Sequence, residues 1–179
     1  MSTRFNLVSV GFSGLLALAS VAVAARADDK ELSDAQVLEV ANLANDGEVQ
    51  QASYAQMHAQ AGAVKAFADL MVKDHTNAKK QGIAITKDTG IRPAPSDVSK
   101  NLRKDSEDVM KDLKKADADD FDKTYMKAQV KEHEQVLKIL DDELIPSASA
   151  ASLKQLLADM KTHVTHHLAV ARGTVDKLK

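Results

Sequence analysis

The segment Phe67-Ala-Asp-Leu-Met-Val-Lys-Asp-His-Thr-Asn-Ala78 sets a histidine inside an otherwise apolar helical stripe. Phe67, Ala68, Met71, His75, Ala78 and Gly82 recur at spacings of three and four, which puts them on one face of a helix, with His75 where a core side chain belongs. A polar group in that place needs a partner. Three other segments hold an ionisable residue in the same situation. What the chain can fold into therefore depends on whether those residues meet.

Composition narrows the class. With 44% hydrophobic and 28% charged residues the chain reads as one ordinary globular domain. Three prolines, seven glycines, 3% aromatics and abundant alanine favour long, closely packed helices over a sheet. The formal charge is −2, and neither it nor any basic patch interleaved with aromatics points to nucleic acid. The absence of cysteine excludes disulfides, thiolate metal sites, a cysteine nucleophile and a lipid-modified cysteine, so a metal site must use His, Asp, Glu or Met. No Ser-His-Asp order, glycine-rich phosphate loop or nucleophile elbow is present, and the sequence names no reaction.

Residues 1–27 carry Arg4, an uncharged apolar run and a small-residue end, Ala25-Arg26-Ala27, as a secretory signal peptide does; Ala22-Val23-Ala24 is a second cleavage candidate. Cleavage would send residues 28–179 to the periplasm as one helical domain. The alternative is an uncleaved anchor, since about 19 apolar residues span a bilayer. No strong membrane signal follows.

Ser33-Asp-Ala-Gln36 reads as a capping box opening a helix to about residue 59, with Val37, Val40, Ala41, Ala44, Ala52, Ala55 and Ala59 inward and Glu48 among them. The short break Gln60-Ala-Gly62 predicts an antiparallel hairpin with a second helix, which ends near Gly90, Pro93 and Pro95. Residues 97–115 show a narrower stripe of Val98, Leu102, Val109 and Leu113, a helix buried on one side. From 121 to 145 the inward set includes Phe121, Tyr125, Met126, Gln129 and His133, and Pro146 ends the helix. Residues 147–152 form a loop with serine caps. The last helix, about 152–178, buries Leu153, Leu156, Met160 and Val164 and carries His163 and His167 one turn apart on the same side; His166 is expected outside and His58 on the surface. Met57, Met71, Met126 and Met160 read as core filling.

Helix geometry tests whether the polar residues meet. Glu48 lies about 13 residues before the first turn and His75 about 13 after it, so at 1.5 Å per residue both sit roughly 20 Å below the top. If residues 97–115 return the chain to that end, His133 comes to the same level on the way down, with His163 and His167 near it on the way up. Four core helices then contribute Glu48, His75, His133 and His163 or His167 to one layer, as in metal sites of four-helix bundles. Imidazole and carboxylate suit iron or zinc, and such binding is expected to weaken near pH 6.5, where histidine protonates. The competing reading is a buried hydrogen-bonded network that fixes helix register. Glu-x-x-His, the mark of a carboxylate-bridged di-metal bundle, is absent. Asp74-His75 and Glu132-His133-Glu134 stand instead, and neighbours point about 100° apart on a helix.

Phe67-Ala-x-x-Met-Val-x-Asp-His75, Phe121-Asp-x-x-Tyr125 followed by His133, and His167-Leu with alanines after it resemble the bacterial domain-of-unknown-function family 4142, often labelled as outer-membrane or exported proteins. The resemblance implies a ferritin-like bundle: an antiparallel four-helix bundle with an extra crossover helix. It maps the family's acidic residue to Glu48 and its histidines to His75, His133 and His167. This chain lacks the usual glycine before Phe121 and adds His163 and His166. Two functions follow. One is an exported metal-binding protein used in metal handling or oxidant defence, with Tyr125 beside the site. The other is a non-catalytic envelope stress or interaction protein whose buried Glu/His network is structural.

Overall fold

The computed structural model describes residues 31–178, and the expected leader, 1–27, lies outside the described residues. Helices and their connections account for the described residues, with no strand among them, so the chain is all-α. Helix α1 (Asp34–His58) opens on the capping box: Ser33 Oγ accepts from the Gln36 N–H, and Gln36 Oε1 accepts from the Ser33 N–H at 3.0 Å. Helix α2 (Gly62–Thr89) follows after three residues and stops at Gly90, whose φ of 75° is left-handed and free of strain only for glycine. Helix α3 (Asp97–Lys115) has its own box from Ser96 and Ser99.

Helix α4 (Ala118–Ile139) does not end at Pro146 in the simple way its sequence predicts. It widens into a π-helical turn, Leu140–Leu144, and continues through the short α5 (Ile145–Ser147). A proline has no N–H to give the carbonyl four residues back, and its ring crowds that carbonyl; the wider turn just before Pro146 relieves both problems. Helix α6 (Ala151–Lys177) starts without a side-chain cap. The loop serines are used elsewhere: Ser147 Oγ accepts from the Leu32 N–H, while Ser149 and the Ala150 N–H donate to Asp34. The two chain regions that open α1 and α6 are thereby tied together.

Side-chain pairs fix the directions. Asn45 meets His75 and Gln56 meets Asp69, so α1 and α2 run oppositely. Glu134 with Arg172, and Asp141 of the following π turn with Lys161, make α4 and α6 antiparallel, and Glu39 with Arg103 and Gln51 with Ser106 make α3 run alongside α1. Between the α1–α2 turn and α4, the buried Asp122 carboxylate accepts from the N–H groups of Gln60 at 3.0 Å and Ala61 at 2.6 Å.

The core is in two pieces. One gathers Val37, Leu38, Ala41, Leu140, Leu153, Leu157 and Met160 among others, and the second gathers Ala52, Ala55, Phe67, Met71, Phe121, Tyr125 and Met126. Each fully buried large apolar side chain contributes on the order of 2 kcal/mol. Between the pieces lie Asn45, Glu48 and Gln51 of α1, His75 of α2, Gln129 and His133 of α4, and His167 of α6, all buried. Met57 does not join the core: it is 72% exposed, while Met71, Met126 and Met160 are buried.

Candidate metal centre

Three histidines from three helices meet in the polar layer. The ring centroids of His75, His133 and His167 are 5.3 to 6.1 Å apart. One nitrogen of each ring lies within 4.8 Å of one from each of the others. On each ring one nitrogen is held by a protein acceptor. Asn45 Nδ2 donates to the Ala41 carbonyl at 2.7 Å, which turns Asn45 Oδ1 toward His75, and it accepts from His75 Nδ1–H at 2.8 Å. His133 Nδ1–H donates to the Gln129 carbonyl at 2.8 Å, and His167 Nε2–H donates to Asp74 Oδ2 at 3.0 Å. These acceptors assign the tautomers: His75 Nε2, His133 Nε2 and His167 Nδ1 keep lone pairs and have no protein partner.

Burial keeps these rings neutral. It pushes His75 well below the usual histidine value, with the neighbouring histidines adding to the effect. His133 is lowered to about 4 by desolvation, against its bond to the Gln129 carbonyl. His167 is likewise lowered to about 4, against the pull of Asp74. Neutral imidazole with one nitrogen anchored and the other bare is the state of a metal-ligating histidine.

The opposite side of the layer holds carboxylates. Glu48 Oε1 stands 3.6 Å from His133 Nδ1, on the side of that ring facing away from its bare nitrogen, and Glu48 Oε2 is buried without a partner. Glu48 also lines a cavity of about 10 Å³ with His75 and His133, room for one water. Glu132 accepts from Gln51 Nε2 at 2.7 Å and Gln129 Nε2 at 3.4 Å, and Gln129 Nε2 also donates to Gln51 Oε1 at 3.0 Å. Desolvation raises Glu48 to about 7, opposed by the Gln129 amide, and raises Glu132 well above the carboxylate range with help from the Glu48 charge. Helix α3 closes over this side through Ser106. A Cβ at Gly47 would stand 2.5 Å from Ser106 Oγ, so glycine permits the approach.

Of the five residues read from the sequence as ligands, His75, His133 and His167 converge. Glu48 reaches the layer but joins neither of the ligand triads found among the described residues, and His163 is exposed. His163 belongs to an outer triad with Asp74 and His167. His166 and His58 are exposed, and Tyr125 is buried with its hydroxyl unpartnered.

A family model described as "Domain of unknown function (DUF4142)" matches residues 19–173. The chain belongs to this family. No curated protein and no solved structure matches it. Within this DUF4142 chain, Asn45 and Gln51 are the site residues that sequence reasoning missed, while Asp74 and Glu132 stood out only as neighbours of the histidines. Asn45 and Gln51 each lie three from Glu48 and could have been found as further polar positions flanking the α1 stripe. Asp74 was visible beside His75, and the 100° turn between neighbours sends it to His167 instead.

Proposed function

We propose that this is an exported metal-binding protein that holds a first-row transition ion, iron or zinc, through His75 Nε2, His133 Nε2 and His167 Nδ1. The observation that carries this reading is the set of three bare, buried imidazole nitrogens, each on a ring whose other nitrogen is already bonded. Leaving three such acceptors without a protein partner is costly, and a cation satisfies all three together. Imidazole donors suit zinc and iron, and three protein ligands leave a further position open.

Asp74 supplies negative charge from behind His167, and Glu48 lines the small cavity beside His75 and His133 without joining the triad. The directions of α1, α2, α4 and α6, with α3 as the crossover, support a ferritin-like antiparallel four-helix bundle. The sequence features of a cleaved leader in residues 1–27 support a periplasmic role in metal handling or oxidant defence.

The test is a binding titration of the protein purified without a histidine tag, using Zn²⁺ and Fe²⁺, with thermal melts alongside. One ion per chain is expected, lost in the His75→Ala, His133→Ala double variant. The expectation that binding fades near pH 6.5 is revised by burial: with His133 and His167 neutral down to about 4, binding persists at pH 5.5. No binding at pH 7.5, or equal binding by the double variant, would overturn the site. The polar layer would then be a structural network in an envelope protein acting through its surface.

A further inference from the structure

The buried centre has a neighbour that reaches the solvent. Asp74, His163 and His167 each offer a ligand atom within 4.8 Å of the others. His167 is common to both triads. Its Nε2 lies 3.0 Å from Asp74 Oδ2, and His163 Nδ1 lies 3.6 Å from that same oxygen. Side-chain exposure falls inward, from 58% at His163 to 15% at Asp74 and 0% at His167. A cavity of about 80 Å³ joins these levels, with Asp159 and Gln81 on its wall beside Asp74, His163, His75 and His167. It is roomy enough for a hydrated or partly hydrated ion, and the carboxylates of Asp74 and Asp159 line it.

We propose that Asp74, His163 and His167 Nε2 form a second, solvent-facing cation site that captures the ion and hands it to the buried three-histidine centre. The proposal rests on that centre being a metal site. Its geometric basis is that His167 belongs to both triads, with Nε2 3.0 Å from Asp74 Oδ2 and its ring centroid 5.3 Å from that of His75 and 5.6 Å from that of His133. A neutral imidazole offers one lone pair, so His167 serves one site at a time: the solvent-facing site is reached first and empties as the buried one fills.

Co²⁺ added to the metal-free protein tests this, because four-coordinate, histidine-bound Co²⁺ gives an intense visible band. In the wild type the band should grow at a rate that saturates with Co²⁺ concentration, as capture before transfer requires, and stop at one ion per chain. His163→Ala, an exposed change, should reach the same final band about ten-fold or more slowly, without rate saturation. His133→Ala should lose the band and still bind one Co²⁺ weakly at the outer site. Unchanged loading by His163→Ala, two ions bound at saturation, or no residual binding by His133→Ala would each overturn the capture site while leaving the buried centre standing. Failure of the buried centre reads differently: the wild type shows no band at any time, and the proposal falls with it.

Discussion

On one side of the polar layer, His75, His133 and His167 each give one ring nitrogen to a protein acceptor and keep the other bare. On the other, Glu48 and Glu132 sit among amide donors, with Gln51 and Gln129 bonded to Glu132. The three histidines and Glu48 are buried and Glu132 is half-buried, and burial acts on the two sides in opposite senses. It drives the histidines to the neutral form, which binds a cation, and drives the carboxylates toward the protonated form, which does not. A shared enclosed environment therefore prepares one side as ligands and makes the other depend on its neighbours for charge. The difference shows why Glu/His counting along the helices does not define the site: the bonds behind each side chain decide its role.

The largest effect should come from making the two sides alike. His75→Glu adds a third carboxylate to a layer already holding two, with Asn45 left as its acceptor neighbour. We expect a loss on the order of 3 kcal/mol or more, against about 1 kcal/mol for Glu48→Leu, in metal-free melts at pH 7.5. Equal losses would mean the two positions do not share an environment.

Metal should stabilise through the histidine side alone. Free Zn²⁺ at one hundred times its dissociation constant raises stability by about 2.7 kcal/mol. Glu48→Gln should keep most of that gain, and His133→Ala should abolish it; if Glu48→Gln abolishes it too, the carboxylate is a direct ligand. Asn45→Ala, which frees His75 Nδ1, should weaken Zn²⁺ binding about 10- to 100-fold in competition with a chelator, since the ring loses its orienting acceptor. An unchanged affinity would show that packing alone holds His75.

The pH dependences should have opposite signs. His133 and His167 go from an ordinary 6.5 to about 4 on folding, so between those values the unfolded chain takes up protons that the folded one refuses, and stability falls as pH drops from about 6.5 to 4. Glu48 goes from 4.5 to about 7, so the folded chain keeps a proton that the unfolded one releases, and stability falls as pH rises through that window. Each proton is worth at most about 1.4 kcal/mol per pH unit. In metal-free urea titrations His133→Gln should cost less at pH 5 than at pH 7.5, and Glu48→Gln the reverse. Parallel trends would show the layer titrating as one unit. The smallest effect belongs to His58→Ala, where an exposed ring stacked on Tyr54 should change stability by about 0.5 kcal/mol or less.

Helix positions, the capping box at Ser33, the stop at Gly90 and the level of Glu48, His75, His133 and His167 were all legible in the sequence, because they follow from local periodicity and from a fixed rise per residue. The burial of His167 rather than His163 was not. Both lie on the same side of α6, one turn apart, and only the packing of α6 against α2 and α4 turns one inward and leaves the other beside Asp74 at the surface. Nor could the sequence supply the acceptors from Asn45, Gln129 and Asp74 that choose each tautomer, or the π turn before Pro146. Periodicity tells which face of a helix is buried. Which atom on that face is left with a free lone pair depends on neighbours from other helices, and tertiary structure alone brings those within hydrogen-bonding distance.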